Sequence, residues 1–437
     1  MINFLVKYEL AIEIALNTAL YGFLILLNIE VQVYNLQNNG VLKIPIRKSM
    51  SALFCYKKHL NLFLNFIVKE VYDMLLKEGQ VRIPSGCAIS GIFSREGRRM
   101  SGKDIVKSIS VMHDRSNGLG GGFAGYGIYP EYKDYYALHV FFDSNAAREE
   151  AEKFINKHFD VINLSRIPTR KHPRITDEPL IWRYFVAPLH GKLEESQLDE
   201  KEYVARCVLK INTNINGAYV FSSGKNMGVF KAVGFPEDVG EFYKLEDYSG
   251  YCWTAHGRYP TNTPGWWGGA HPFSILDYTI VHNGEISSYD ANRRFMEMFG
   301  YKCSLLTDTE VITYIFDYLN RRQGISLKDC AAIIAAPFWT EIDKMPEDMK
   351  KKFTAIRNVY ASLLITGPFS IILGFDGGMM ALNDRLKLRS MVAAEKDDLV
   401  IVASEECAIR VIYPELDRIW SPKGGEPVIA TLIGGVV

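Results

Sequence analysis

Four short segments of the 437-residue chain hold side chains that nucleophilic catalysis draws on. Cys87-Ala88-Ile89-Ser90-Gly91-Ile92-Phe93 puts a thiol at the head of a small apolar run. His256-Gly257-Arg258-Tyr259-Pro260-Thr261-Asn262-Thr263 supplies a guanidinium, the side chain that matches a carboxylate through two parallel hydrogen bonds. His282-Asn283-Gly284-Glu285-Ile286 supplies a carboxamide beside a glycine, and Thr307-Asp308-Thr309-Glu310 a carboxylate where a helix is expected to start. Taken singly, each is ordinary. An Asn-Gly pair is usually a turn, and a lone cysteine is more often a small core hydrophobe than a nucleophile. The information lies in their combination and order.

Composition narrows the class. Hydrophobic residues make up 48% and charged residues 23%, values that exclude wholesale disorder, collagen and coiled coil. Fifty basic and fifty acidic side chains cancel, so no global charge steers the chain to nucleic acid or an anionic membrane. The seven cysteines are scattered with no C-x-x-C pair, which argues against a disulfide framework, a zinc site or a ferredoxin-type cluster. Reduced cytosolic thiols are the expectation.

Residues 1–86 form an extension distinct from the rest. Its uncharged run, 14–29, holds 16 residues, short of the roughly 20 that span a bilayer, and neither a basic start nor a small-residue cleavage site is clear. Three readings stay open: an amphipathic or over-long extension, a processed pro-segment, or a membrane anchor. A membrane location is the least favoured. From 87 onward the texture is α+β. Strand-length apolar runs fall at 137–142, 181–187, 219–221, 229–233, 278–281, 370–375 and 399–403, and helical patterns at 146–159, 194–211, 287–299 and 309–321. Residues 137–187 read as an inserted β-α-β piece. The strands and helices that must position the four segments do not alternate strictly, so a parallel doubly wound sheet is not expected.

Asn117-Gly118-Leu119-Gly120-Gly121-Gly122-Phe123-Ala124-Gly125-Tyr126-Gly127 contains G-x-G-x-x-G, but a helical pattern precedes it and Ile128-Tyr129-Pro130 follows. A dinucleotide cradle needs a strand before and a helix after. The stretch reads instead as a tight loop closely approached by other backbone.

Together the four segments resemble the class II, N-terminal-nucleophile glutamine amidotransferases. The surroundings, Pro264, Trp266-Trp267, His271-Pro272-Phe273, Leu382-Asn383-Asp384-Arg385, Leu388-Arg389 and Val402-Ala403-Ser404-Glu405, look most like the amidotransferase part of glutamate synthase, over about residues 87–435. The resemblance implies a four-layer αββα sandwich of two antiparallel sheets spanning 87–437. It implies hydrolysis of L-glutamine to glutamate and ammonia through a thioester on Cys87. Asn283 and the Gly284 N–H would form the oxyanion hole, Arg258 and Thr261 would hold the substrate α-carboxylate, and Asp308 its α-ammonium. The base would be the α-amine of Cys87, free only once Gly86 has been removed. His256, His271 and His282 are expected to be structural hydrogen-bonders. Ala88 departs from the glycine usual after the nucleophile. No cofactor is expected on this chain. FMN and iron–sulfur clusters would belong to partner subunits of a split, archaeal-type glutamate synthase acting on 2-oxoglutarate in the cytoplasm. Two alternatives remain: a class II amidotransferase for another acceptor, and a non-catalytic glutamine-sensing subunit. The Trp266-Trp267 pair, flanked by Gly265, Gly268 and Gly269, reads equally as a core anchor or as a lid hinged on its glycines.

Overall fold

The computed structural model describes residues 31–35, 40–44, 86–260 and 265–434. The chain divides into two compact units, Met1–Arg82 and Ile83–Val437. In the first, Val31–Asn35 pairs antiparallel with Gly40–Ile44; the apolar run at 14–29 lies outside the described residues. Among the described residues no helix is long and apolar enough to cross a membrane.

The second unit is built on two antiparallel sheets. The larger runs Met227–Ala232, Gly121–Tyr126, Cys252–Gly257, Ala88–Ser94, Leu399–Ala403, Val392–Lys396, Arg418–Trp420 from edge to edge. The smaller runs Phe273–Ile275, Tyr278–Gly284, Phe369–Phe375, Gly378–Asn383, Val428–Thr431. Period-two alternation tells each strand which side to bury. In Phe369–Phe375, Ile372 joins the core between the two sheets, while Ile371 and Leu373 join the core on the far side. The sheets meet face to face closely enough that a Cβ on Gly91 would stand 2.8 Å from Met379 Sδ. Helices Gly102–Ser110 and Pro236–Phe242 cover the outer face of the larger sheet, and Asp308–Phe316 that of the smaller. The result is the expected α+β four-layer αββα sandwich.

Residues 136–222 build a third, four-stranded antiparallel sheet in the order Phe159–Arg166, Leu180–Pro188, Tyr136–Phe142, Ala218–Ser222. The strand Phe159–Arg166, which follows helix Asn145–His158, is not among the runs read from the sequence; its exposed Ile162 and Leu164 break the apolar pattern. The helix expected over 194–211 is two helices, His190–Ser196 and Glu200–Asn214. Gln197 turns left-handed at φ 57°, and Asp199 restarts the chain by accepting from the Glu202 N–H at 2.9 Å.

The glycine-rich stretch corrects the loop expectation. Gly121–Tyr126 is an inner strand of the larger sheet. Its small residues answer to crowding: a Cβ on Gly122 would lie 2.2 Å from the His271 carbonyl oxygen, and one on Gly125 2.7 Å from the Trp253 ring.

Candidate functional site

Cys87 sits one residue before the strand Ala88–Ser94, half-buried at the end of the larger sheet. Its position is fixed by its own backbone: Arg115 Nε donates to the Cys87 carbonyl at 3.1 Å, and Arg115 is itself held by Glu405 at 2.7 Å. The Tyr259 N–H donates to Cys87 Sγ at 3.2 Å. Burial pushes the thiol pKa up, while that N–H and the Arg258 and Arg389 guanidiniums favour the thiolate and oppose the rise.

Arg258 follows the neighbouring strand Cys252–Gly257 and is buried. Its N–H donates to the Gly120 carbonyl at 2.8 Å, and its carbonyl accepts from the Asn117 N–H at 3.3 Å and Ser116 Oγ at 3.1 Å. Gly120, at φ 153°, has no room for a side chain, since a Cβ there would stand 2.9 Å from Arg258 Cδ. The first half of the glycine-rich stretch therefore shapes the seat of Arg258.

The smaller sheet contributes Asn283 and Gly284 from the end of Tyr278–Gly284. Asn283 is 1% exposed, yet neither atom of its carboxamide has a hydrogen-bond partner among the described residues. A buried amide left open in this way is costly unless a ligand or water meets it. Gly284 admits no Cβ, which would lie 2.1 Å from the Pro368 carbonyl oxygen.

The start of the helix Asp308–Phe316, which follows the helix Tyr289–Met298, supplies Asp308. Thr307 caps the helix Asp308–Phe316 by accepting from the Glu310 N–H at 3.2 Å, as the sequence leads one to expect. Asp308 Oδ2 accepts from the Ile286 N–H at 3.2 Å and Oδ1 from Thr309 Oγ1 at 3.1 Å, with His282 Nδ1 3.5 Å away. Burial works against its charge, but His282 and these donors outweigh it and hold the carboxyl below its ordinary pKa.

Cys87, Arg258, Gly284 and Asp308 line one cavity of about 280 Å³, with His271 and His282 in its wall. That is just under the ~300–1,000 Å³ typical of drug-sized ligands, a volume suited to a single amino acid. Thr261 lies outside the described residues. The roles of three participants escaped the sequence reading. Tyr259 acts through its backbone, Arg115 is remote in sequence from both partners, and Arg389 lies in a segment whose approach to Cys87 no local pattern announces.

The tryptophans separate. Trp267 is core: its ring meets Phe141 and Phe242 edge-on, and Nε1 donates to the Thr176 carbonyl at 3.1 Å. Trp266 is 41% exposed. The glycines expected as hinges are where its indole rests, with a Cβ on Gly268 falling 2.2 Å from the ring.

The family model for class II glutamine amidotransferases matches residues 127–305, a span that holds Arg258, Asn283 and Gly284 and ends just before Asp308. An uncharacterized protein of Archaeoglobus fulgidus is 53% identical over 349 residues, covering 79% of this chain and 92% of that one. The amidophosphoribosyltransferase of Methanocaldococcus jannaschii is 24% identical over 56% of this chain and 48% of its own length. Among solved structures, a B. subtilis glutamine phosphoribosylpyrophosphate amidotransferase aligns with 79% of this chain and 47% of its own, at 14% identity and a TM-score of 0.40. Residues 127–305 thus match a class II glutamine amidotransferase domain.

Proposed function

We propose that the chain is the glutaminase component of a split glutamate synthase. The observation carrying the glutaminase part is the convergence of Cys87, Arg258, Gly284 and Asp308 on one amino-acid-sized cavity, with the open carboxamide of Asn283 on the strand beside it. Arg258, aided by Thr261, holds the glutamine α-carboxylate, and Asp308 holds the α-ammonium, so the zwitterion is read by opposite charges. Cys87 Sγ attacks the side-chain carbonyl carbon. Asn283 Nδ2 and the Gly284 N–H receive the oxyanion. The C–N bond then breaks, ammonia leaves with the proton taken from the thiol, and water hydrolyses the γ-glutamyl thioester to glutamate and free thiol.

The proton carrier in this scheme is the Cys87 α-amine, whose ordinary pKa of about 7.7–8.0 suits both uptake and return near neutrality. It requires cleavage of the Gly86–Cys87 bond. Gly86 lies against the site, its Cβ direction 3.8 Å from Asn283 Oδ1 and 3.9 Å from an Arg389 terminal nitrogen.

The synthase assignment is supported by the resemblance of the sequence around Trp266-Trp267 and 382–389 to glutamate synthase. Ammonia passes to a partner that condenses it with 2-oxoglutarate and reduces the iminium with two electrons from FMN and iron–sulfur clusters on separate cytoplasmic subunits. A second acceptor class, a phosphorylated sugar, is favoured by the likeness to the M. jannaschii amidophosphoribosyltransferase. Native purification discriminates. We expect a chain beginning at Cys87, glutaminase activity lost in Cys87→Ala, and a co-purifying flavoprotein. Full activity with Gly86 still attached would overturn the amine as base, and an active chain accompanied by no flavoprotein would overturn the synthase assignment.

A further inference from the structure

In the cavity wall lies a set of hydrogen bonds whose directions can be derived. His271 Nε2 stands 2.7 Å and His282 Nδ1 3.1 Å from Thr309 Oγ1, and Thr309 Oγ1 donates to Asp308 Oδ1 at 3.1 Å. A hydroxyl has one hydrogen and two lone pairs. With that hydrogen given to an ionised carboxylate, both imidazole nitrogens must be donors. His256 completes the set: Nε2 donates to the His282 carbonyl at 2.8 Å, and its ring stacks on that of His271 with centroids 4.0 Å apart. The other nitrogen of each ring, His256 Nδ1, His271 Nδ1 and His282 Nε2, has no partner among the described residues. For His256 and His271, one donor used and one nitrogen open is what a singly protonated imidazole needs; a second N–H there would be buried and unmet. Burial agrees, holding the His256 pKa down to about 3 and that of His271 well below its ordinary value.

We propose that Thr309, with His271 and His282 donating to it, is a positioning residue that keeps the Asp308 carboxylate ionised and aimed at the amino group of the substrate. This rests on the reading of Asp308 as the holder of the glutamine ammonium. The arrangement supplies the buried carboxylate with a fixed hydroxyl dipole beside the Arg258 and His282 side chains. The groups facing Asp308 are the Cys87 thiol, Arg258 and His282, with His271, Glu285 and, on its own helix, Glu310 nearby.

The test compares the expressed chain with Thr309→Val, Thr309→Ser and Asp308→Asn, using glutamine and glutaramate, which is glutamine without its α-amino group. Thr309→Val should raise the glutamine KM about tenfold with kcat little changed, the loss of one charge-assisted hydrogen bond. It should move the acidic limb of kcat/KM up by about one pH unit, because Asp308 loses a donor and protonates more readily. Its kcat/KM for glutaramate should be unchanged, and Thr309→Ser should restore the wild-type values. Thr309→Cys, similar in size with a weak donor, repeats the comparison if the valine variant does not fold. Protection of Cys87 from iodoacetamide by glutamate gives the same ratios as binding constants. Equal losses on both substrates with no pH shift would overturn the positioning role. If Asp308→Asn still preferred glutamine over glutaramate as the wild type does, the reading of Asp308 itself would fall instead.

Discussion

His256 on the larger sheet donates its Nε2–H to the carbonyl of His282 on the smaller sheet at 2.8 Å, and both residues are buried. Arg258 lies two residues beyond His256 and Asn283 one beyond His282, so a single hydrogen bond ties together the strand ends that carry them. The bond needs only the Nε2 proton; burial disfavours a second one and keeps the His256 pKa near 3.

The sign of the resulting pH dependence is fixed. A histidine at about 6.5 when unfolded and about 3 when folded binds more protons in the unfolded chain between those values. His139, buried against the Val229 carbonyl and also lowered to about 3, acts in the same direction. Their contribution is complete above about pH 6.5 and is lost as pH falls toward 3. Urea unfolding of wild type and His256→Gln at several pH values should show a smaller acid loss in the variant. Parallel curves would disprove it.

Asn283 and Asp308 should divide between the kinetic constants. Asn283→Ala removes a donor that matters as charge develops, so kcat for glutamine should fall about 10²–10³-fold with KM nearly constant. Asp308→Ala should act mainly on KM. Steady-state glutaminase assays decide, and a reversed pattern would exchange the roles.

Arg115 offers a test of how the nucleophile is held. It bridges the Cys87 carbonyl and Glu405 through separate guanidinium nitrogens, a geometry lysine cannot copy. Arg115→Lys should lower kcat by roughly tenfold while leaving the melting temperature within a few degrees. Unchanged kcat in Arg115→Lys would show that Cys87 needs no such anchor.

The tryptophans should respond differently. Trp267→Ala should destabilise the fold by about 3–5 kcal/mol, the usual cost of emptying an aromatic site in a core. Trp266→Ala should cost far less, because that indole is 41% exposed. Any fluorescence change on adding a glutamine analogue should therefore vanish in Trp266→Phe. A signal that persists would have to come from elsewhere in the chain.

By itself the sequence determined the parts whose causes are local. Alternating and apolar runs marked seven of the strands, such as 399–403, because burial on one or two faces is written in consecutive residues. Thr307 announced its helix because a cap is an interaction over three residues. Cys87, Arg258, Asn283 and Asp308 stood out by their type and order, and the structure places them on adjacent strand ends and one helix start. Only the tertiary structure decided the rest. The glycine-rich stretch was legible as crowded but not as a strand, since what crowds it, the His271 carbonyl and the Trp253 ring, arrives from more than 120 residues away. For the same reason the Tyr259 N–H on Cys87 Sγ, the Arg115–Cys87 contact and the histidine set around Thr309 left no local signature. Hydrogen bonds formed through space, some of them to backbone atoms that every residue carries, are specified by the packing of two sheets and not by any neighbouring run of side chains.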